Sequence, residues 1–443
     1  MTSATALPPL RHDFTPGSIR AAWSYRDFRL VWLGMFGSNV GTWMQNLALP
    51  AYVQSRTGSA ATVGLMVFAQ LGPLLILSIP GGVLANRFPR RQWLVTMQVA
   101  QIVCSLALAV LVSRDAPIGA LFVVNLGVGI ANALNNPAFQ ASVPLLVDRR
   151  DLPGVVSLNS TSLNGARVIG PAIAALLGVW GVTVSQLLVI NAATYLVVIA
   201  ALLVVHLPRP AQTHGAEGWR KLTLGMRIAR DKPVLGRLLI TMALFSFFCL
   251  PYVGLFPAVA EHSFGIDASS STYKWLYAVW GFGACLGALG AGTLLARIDK
   301  RRVIGPAFAA FAVFLAAFAV VRQPAPAFPI GFALGFSYFL VATSMLTVLQ
   351  QELADDERAL VMSLWFMAFG GTVPLGNLVF GPLMDRFGAR WILAGGAMFA
   401  VVLAWWCDLP RRGFSAAGQE PSSEPLQPGD SAPLDEYGIA AGD

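Results

Sequence analysis

The sequence predicts an all-α integral membrane protein with twelve transmembrane helices in two six-helix bundles. Of its 443 residues, 56% are hydrophobic and only 12% are charged, which lies well outside the composition of soluble proteins. Apolar runs long enough to cross about 30 Å of hydrocarbon as a helix recur along most of the chain. Motifs of the first half also recur in the second half, which indicates an internal duplication.

Twelve apolar runs define the predicted spans. They lie at 28–52, 60–86, 92–112, 117–140, 154–178, 183–206, 234–259, 272–296, 303–321, 326–350, 359–384 and 391–408. They divide the chain into an N-terminal segment at 1–27, a first bundle at 28–206, a linker at 207–233, a second bundle at 234–408 and a tail at 409–443. The second part of the linker is predicted to form a basic amphipathic helix on the membrane surface. The tail is rich in Pro, Ser and acidic residues and is predicted to be disordered.

The Lys and Arg residues are distributed unevenly between the two ends of these spans. With the N-terminus inside, 23 of the 30 fall on the inner side, six on the outer side and Arg167 within the membrane. This positive-inside bias predicts a multi-pass protein of the cytoplasmic (inner) membrane, with both termini and the linker in the cytoplasm. The same bias accounts for the formal net charge of +8, so the charge gives no support to nucleic-acid binding.

The cysteines and the catalytic motifs bear on enzymatic and metal-dependent functions. Cys104, Cys249, Cys285 and Cys407 lie in apolar segments, without the paired spacing of a disulfide framework or a zinc site. The sequence contains no H-E-x-x-H, no G-x-S-x-G and no glycine-rich phosphate loop. We therefore expect that the protein is not an enzyme and uses no metal and no cofactor.

The segment GVLANRFPRR from Gly82 matches GTLLARIDKR from Gly292 in the second half. In this alignment Arg87 corresponds to Arg297, and both are followed by a basic pair. Internal duplication of six spans places a binding site between the halves, near the middle of the membrane.

Arg167 lies in the middle of an apolar stretch, NSTSLNGARVIGPAIAALLG, at 159–178. An arginine that faces lipid at the centre of a helix costs about 2.5 to 3.5 kcal/mol on insertion scales, so Arg167 is predicted to face water or a partner. Two interpretations stay open. Arg167 is part of a substrate site or gate, or it is a structural pin that donates hydrogen bonds to helix ends and to amides of the fourth span.

Three spans of the first half carry polar residues at helical spacing. They are Asn39, Trp43 and Asn46, with Gln45 adjoining, on the first span; Asn125, Asn132 and Asn136 on the fourth; and Asn164 with Arg167 on the fifth. Because each set shares one face of its helix, the three faces together predict a water-filled, substrate-binding cavity.

Aromatic residues of the second half are candidates for the apolar side of this cavity. Phe245, Phe248, Tyr252 and Phe256 form a stripe on the seventh span, and Tyr338 and Trp365 lie on the tenth and eleventh spans. Such a stripe also occurs in ordinary helix packing, which is the alternative. As a cavity wall, it would bind the apolar part of an amphipathic molecule.

Proton coupling needs a group that can gain and lose a proton along the path. No carboxylate lies at the centre of a predicted span, and the candidates are Asp27, at the cytoplasmic end of the first span, and Glu261, just after the seventh. Both also suit ordinary interfacial charges, so uncoupled, facilitated movement is the alternative.

From about residue 28 to residue 408, the chain resembles the major facilitator superfamily. GVLANRFPRR fits the superfamily signature G-x-x-x-D-R-x-G-R-R, with Gly82, Arg87, Arg90 and Arg91 in place. Asn86 replaces the usual aspartate, and Pro89 replaces the second glycine. The resemblance implies the major facilitator fold. These residues, including Asn86, are candidates for a gate together with Arg297, and the alternative is that their positive charge only keeps the loops inside.

The segment NNPAFQASVPLLVDRRDLPGVVSLNSTSLNGARVIGPAIA is similar to the subgroup that contains the enterobactin exporter and related multidrug exporters. Gly170 and Pro171 resemble part of the antiporter signature of the fifth span, although alanines replace its other glycines. These two residues are further gating candidates. The resemblance implies an efflux antiporter, and it does not identify the substrate.

These observations predict a secondary active transporter that exports an amphipathic small molecule, such as a siderophore-like metabolite or a drug. Transport is expected to proceed by alternating access of the two bundles and to be driven by protons. The expected partners are the substrate, protons and membrane lipid, and the working unit is expected to be a monomer. Translocation of lipid or lysolipid is one alternative, and a membrane sensor that transports nothing is the other.

Overall fold

The computed structural model describes residues 14–85, 88–205, 207 and 217–409. These residues form α-helices with short 3₁₀ and π-helical turns, and no β-strand occurs among them. The helices are α1 (Ile19–Ser24), α2 (Arg26–Thr57), α3 (Ala60–Ala85), α4 (Arg90–Ser113), α5 (Ile118–Gln140), α6 (Leu152–Val179), α7 (Val184–Val204), α8 (Glu217–Asp231), α9 (Pro233–Leu244), α10 (Pro251–Gly254), α11 (Phe256–Phe264), α12 (Ser271–Gly292), α13 (Lys300–Val320), α14 (Pro324–Gln351), α15 (Asp355–Phe366), α16 (Thr372–Phe387) and α17 (Ala389–Trp406).

The predicted all-α membrane fold is confirmed. In the described part of the chain, ten helical segments are long and apolar enough to cross a membrane, and a bent pair that includes α9 can supply an eleventh. The predicted first span corresponds to α2, which has 32 residues and a length of about 48 Å. It is less apolar than the others because Asn39, Gln45 and Asn46 interrupt it. The predicted tail, except for Leu409, lies outside the described residues.

The predicted seventh span, 234–259, is not one continuous α-helix. It is built from α9, a π-helical turn at Phe245–Cys249, α10 and α11, and it extends to Phe264. Pro251 and Pro257 lack the amide hydrogen that a continuous helix would use, which favours these breaks. The eleventh span has a similar π-helical turn, at Met367–Gly371, between α15 and α16.

Equivalent helix pairs pack together in the two halves. In the first half α3 packs against α5, and α4 packs against α5 and α7. In the second half α12 packs against α14, and α13 packs against α14 and α17. The second half thus repeats the packing order of the first, in agreement with the duplicated sequence.

The halves meet along two helix pairs, α3 with α16 and α6 with α12. Glycines allow these close contacts. A Cβ atom at Gly381 would lie 2.8 Å from the carbonyl oxygen of Ala60, and one at Gly281 would lie 3.1 Å from that of Arg167. Residues with side chains would therefore force the two halves apart at both seams.

We call the end of the molecule that carries α8 the linker end, and the end where α2 turns into α3 the opposite end. At the linker end, the Tyr25 hydroxyl donates to Asp148 at 2.9 Å and to Asp151 at 2.8 Å. Burial, together with hydrogen bonds to Asp151 and Asp148, raises the pKa of Tyr25 to about 12. These contacts fix the start of α2 to the start of α6.

Candidate functional site

Arg167 lies on α6, at the seam between the two halves. Its guanidinium carbon is 4.7 Å from the ring centre of Trp43, on α2, and 4.5 Å from that of Phe339, on α14 of the second half. Both contacts are within the range of a cation–π interaction. The arginine is half-buried among aromatic rings that come from both halves.

Two nitrogens of this guanidinium, Nε and Nη1, are buried and have no hydrogen-bond partner among the described residues. An unsatisfied buried donor costs about 1 to 3 kcal/mol, and more when the group is charged. If Arg167 were a structural pin, its guanidinium would donate hydrogen bonds to carbonyl or amide oxygens. Nε and Nη1 donate no such bond to the described residues. The site therefore holds a cation with unused donors.

A cavity of about 80 Å³ lies beside Trp43, between the halves. It is lined by Trp43, Asn46, Pro50, Val67, Gln70, Leu71, Val253, Gly254, Pro257, Tyr273, Tyr277 and Val373. The volume corresponds to two or three water molecules at about 30 Å³ each. Most lining side chains are apolar or aromatic, with a pair of amides on one side.

The amide pair of the cavity is Asn46 and Gln70. The Nε2 group of Gln70 donates to Oδ1 of Asn46 at 2.6 Å and so joins α3 to α2. The sequence indicated Asn46 but not Gln70. The signal that could have identified Gln70 is a glutamine in the middle of the second apolar run.

Aromatic residues that the sequence analysis did not single out complete the surroundings of Arg167. Phe339 contacts the guanidinium directly, and Tyr277 lines the cavity. No sequence pattern separates Phe339 or Tyr277 from the other aromatic residues of their spans.

Two predicted polar residues point into the first half and away from the cavity. The Oε1 atom of Gln45 accepts from Nδ2 of Asn191 at 2.7 Å and from Oγ of Ser105 at 3.2 Å. Asn125 donates from Nδ2 to the carbonyl oxygen of Met66 at 2.9 Å. Gln45 and Asn125 thus connect helices of one bundle.

The remaining predicted amides differ in environment. Asn39 is half-buried and donates to Oγ of Ser162, on α6, at 3.1 Å. Asn132 is half-buried and Asn136 is exposed. Asn164 belongs to α6, and its side chain is outside the described part of the structure.

The π-helical turn separates the residues of the predicted aromatic stripe. Phe245 is fully buried and contacts Phe308 and Phe311 of α13. Phe248 packs instead against Phe399 of α17, with ring centres 4.3 Å apart. The two side chains diverge because a π-helical turn adds a residue and changes the helix phase.

Phe256, the last residue of the predicted stripe, is fully buried, and the predicted residues Tyr252, Tyr338 and Trp365 pack against other aromatic side chains of the second half. Tyr252 is buried, and its hydroxyl accepts from Nε1 of Trp280 at 3.2 Å. The ring of Tyr338 lies 4.6 Å from that of Phe339, which contacts Arg167. Trp365 is buried and stacks on Phe369, with ring centres 6.5 Å apart.

The gating candidates of the repeated motif lie at the linker end. Gly82 belongs to α3, and Asn86 and Arg87 are outside the described residues. Arg90 donates to the carbonyl oxygen of Ala141 at 3.4 Å, and Arg91 donates to that of Val205 at 2.6 Å. Arg297 is exposed. The hydrogen bonds of Arg90 and Arg91 therefore remain within the first half.

Gly170 lies where α6 crosses α2. A Cβ atom there would be 2.7 Å from Cβ of Trp43 and 2.8 Å from the carbonyl oxygen of Val40. Pro171 follows inside the same helix. The pair lets α6 approach α2 closely, one turn after Arg167, and so fixes the position of Trp43 relative to the arginine.

The two candidates for proton coupling lie far from Arg167 in sequence. Asp27 is half-buried in the first turn of α2, at the linker end. Glu261 is half-buried in α11, and its Oε2 atom is buried without a hydrogen-bond partner among the described residues. Nowhere in that part of the chain do three or more His, Cys, Asp or Glu side chains form a group that could hold a metal ion.

A carboxylate joins the halves at the opposite end. Asp385 of α16 accepts the backbone N–H of Ala60 at 2.6 Å and that of Ala61 at 3.0 Å, and it accepts the Ser59 hydroxyl at 2.8 Å. Residues 59–61 are at the start of α3, where free N–H groups and the helix dipole favour a negative charge. The sequence analysis missed this contact.

Comparisons with known proteins agree with this architecture. The enterobactin exporter EntS of Shigella boydii serotype 18 is 28% identical over 271 residues, which are 60% of this chain and 63% of that protein. EntS of Escherichia coli O1:K1 is 27% identical over 271 residues, which are again 60% of this chain and 63% of that protein. The alignment thus spans less than two thirds of these relatives.

Solved transporters share the fold. The nucleoside transporter NupG has a TM-score of 0.68 at 16% identity, over 86% of this chain and 98% of its own. A bacterial homolog of the human lysosomal transporter Spinster, in an inward-facing and unoccupied conformation, has a TM-score of 0.68 at 16% identity. The match covers 88% of this chain and 98% of that structure. The model of a family described as transmembrane secretion effector matches residues 18–435. The chain therefore belongs to the transmembrane secretion effector family of the major facilitator superfamily and is a membrane transporter.

Proposed function

We propose that the protein exports an amphipathic small molecule across the cytoplasmic membrane, along a path between the two halves that passes Arg167. One observation carries this proposal. A guanidinium with unused donors is held between Trp43 of one half and Phe339 of the other, next to a cavity that both halves line. Apolar and aromatic walls with a few polar groups are typical of sites for small molecules.

The relatives narrow the class of compound that we propose. The matched proteins of Shigella boydii and Escherichia coli are named as enterobactin exporters. A siderophore-like metabolite or a drug of similar amphipathic character suits the aromatic surroundings of Arg167. Such a compound is far larger than the cavity of about 80 Å³, because sites for drug-sized ligands occupy roughly 300 to 1,000 Å³.

This difference in volume supports alternating access, because the halves must move apart before a molecule of that size can bind. The contact of Asp385 with the start of α3 closes the opposite end in the present conformation. Loss of this contact would let the two bundles rock about the central site. The glycines at the two seams support such a movement, because the helix surfaces that meet there lack protruding side chains at these positions.

The linker end is proposed to face the cytoplasm. The predicted spans support this orientation, since they assign 23 of the 30 Lys and Arg residues to the side of the linker and six to the other side. Both termini then lie in the cytoplasm, and the closed opposite end faces outward. A compound would enter from the cytoplasmic side.

We also propose that protons drive export, with Glu261 as the first candidate for the coupling group. Its carboxylate is half-buried and has an oxygen without a partner among the described residues, whereas Asp27 lies in the first turn of α2. A carboxylate in such a position can gain and lose a proton during transport.

Accumulation of a panel of amphipathic compounds in cells with and without the protein tests export. We expect at least one compound to accumulate less when the protein is present, and a protonophore to abolish the difference. Arg167→Ala should also abolish it, while the amount of protein in the membrane stays normal. Arg237→Ala is the matched control, because its guanidinium also lies 4.7 Å from an aromatic ring, that of Trp406, but at the linker end.

Three results would each contradict one part of these proposals. Equal accumulation of every compound with and without the protein would contradict export. Export that continues at the same rate in the presence of the protonophore would contradict proton coupling alone. Full export by Arg167→Ala would remove Arg167 from the path.

A further inference from the structure

We propose that the transported molecule is an organic anion and that its acidic group binds the guanidinium of Arg167. This inference rests on the proposed export function and adds the charge of the substrate to it. It starts from the two guanidinium nitrogens, Nε and Nη1, that are buried without a partner among the described residues.

No carboxylate among the described residues neutralises this cation. Within the described part of the chain, the ion pairs involve other residues, and none joins a carboxylate to Arg167. The groups in contact with the guanidinium are the rings of Trp43 and Phe339. An aromatic ring attracts the positive charge, but it does not replace the oxygen acceptors that guanidinium N–H groups require.

An acidic group fits this environment better than a neutral acceptor does. A guanidinium forms charge-assisted hydrogen bonds with either kind of acceptor, but a carboxylate adds its own negative charge to the attraction and can accept two parallel N–H bonds. They are strengthened further where aromatic side chains exclude water. The substrate therefore supplies the negative charge that no described residue provides. Its apolar part lies against Trp43, Phe339 and Tyr277.

Because Arg167 lies at the seam, the negative charge of a bound substrate also matters for the contact between the two halves. Trp43 belongs to the first half and Phe339 to the second, so both halves contact the same guanidinium. An anion bound to Arg167 thus lies at the junction that must rearrange during transport. The empty and the loaded site differ by one full charge at that point.

Two fluorescent probes that differ only in charge test the inference. 1-Pyrenebutyrate carries a carboxylate at neutral pH, whereas 1-pyrenebutanol has the same ring and chain length with a neutral hydroxyl. Binding to the purified full-length protein in phosphatidylcholine nanodiscs is measured by energy transfer from tryptophan, corrected with empty nanodiscs. We expect the acid to bind about tenfold more tightly than the alcohol.

Variants of Arg167 then locate the source of this preference. In Arg167→Gln the two probes should bind with equal affinity, whereas Arg167→Lys should keep a reduced preference because it retains the charge without the planar donors. Arg237→Gln, at the linker end, should leave the preference unchanged. Size-exclusion chromatography checks that each variant is folded, and the comparison of the two probes on the wild type needs no variant.

Three results would overturn the inference: equal binding of both probes by the wild type, no binding of the acid, or a preference that survives Arg167→Gln. None of these results contradicts export, because the accumulation panel contains cationic and neutral compounds as well. Conversely, a panel without any exported compound would contradict the proposed function even if the acid binds.

Discussion

At the scale of single residues, neighbouring positions on one helix have different roles. Asn46 and Gln45 are adjacent on α2, yet Asn46 faces the cavity and Gln45 accepts hydrogen bonds from Ser105 and Asn191 inside the first half. Successive side chains of an α-helix point about 100° apart, so a polar residue beside a site need not belong to it.

We predict that Gln45→Leu destabilises the protein and leaves substrate recognition intact. The change removes the acceptor of Ser105 and Asn191, and a buried donor without a partner costs about 1 to 3 kcal/mol. The melting temperature in detergent should fall by several degrees, while binding of pyrene probes stays unchanged. Gln351→Leu is the control, because Gln351 is exposed. Loss of binding at an unchanged melting temperature would contradict this role for Gln45.

At the scale of helices, small residues and π-helical turns determine which faces meet. Gly170 brings α6 onto α2, and Gly281 brings α12 onto α6 at Arg167. The π-helical turn at Phe245–Cys249 points Phe245 and Phe248 toward different neighbours. Because π-helical turns often occur at functional sites, this segment, with its counterpart at Met367–Gly371, is a place where the second half can adjust its helices.

We predict that Gly170→Val both destabilises the protein and reduces transport. The added side chain would push α6 away from Trp43 and Val40, and overpacking of this kind typically costs about 1 to 3 kcal/mol. Melting temperature and initial export rate should both fall. The matched control is Gly395→Val, since a Cβ atom at Gly395, inside α17, meets nothing within 4 Å. Equal behaviour of the two variants would contradict a tight crossing at Gly170.

At the scale of the whole molecule, two bundles with equivalent packing meet along two seams, and the contact of Asp385 with α3 closes one end. The cavity of about 80 Å³ beside Trp43 is smaller than a drug-sized molecule, which supports our proposal that the bundles move apart during transport. The anion that we propose would bind where both bundles contact Arg167.

We predict that a covalent link across the opposite end stops transport. Ser59→Cys with Asp385→Cys, in a background without the native cysteines, can be joined by a short bifunctional thiosulfonate, since the native side chains are 2.8 Å apart. Export should stop after linkage and return after reduction. Tyr52→Cys with Asp115→Cys is the control within one half, where the side chains are 2.9 Å apart. Undiminished export by the linked protein would contradict alternating access.

The fold was predictable from sequence to a large extent, and the site only in part. Hydropathy gave the membrane class and helix positions, and the duplicated motif indicated two equivalent halves. Arg167, Trp43 and Asn46 were identified because polar groups in an apolar run are costly unless they face water or a partner. Phe339, Tyr277 and Asp385 were missed, because aromatic residues within a span and a carboxylate at its end are common features of membrane helices.

The sequence by itself determined that the chain enters the membrane and where its helices lie. It also determined that a charge within these helices must face water or a partner. These properties depend on side-chain hydrophobicity and on spacing along the chain, which are local. Only the tertiary structure decided which side chains surround Arg167, because helix rotation, the π-helical turns and the glycine contacts together set the direction of each face. Phe339 and Arg167 are far apart in sequence, and they meet because the packing of the two bundles brings α6 and α14 together at one seam.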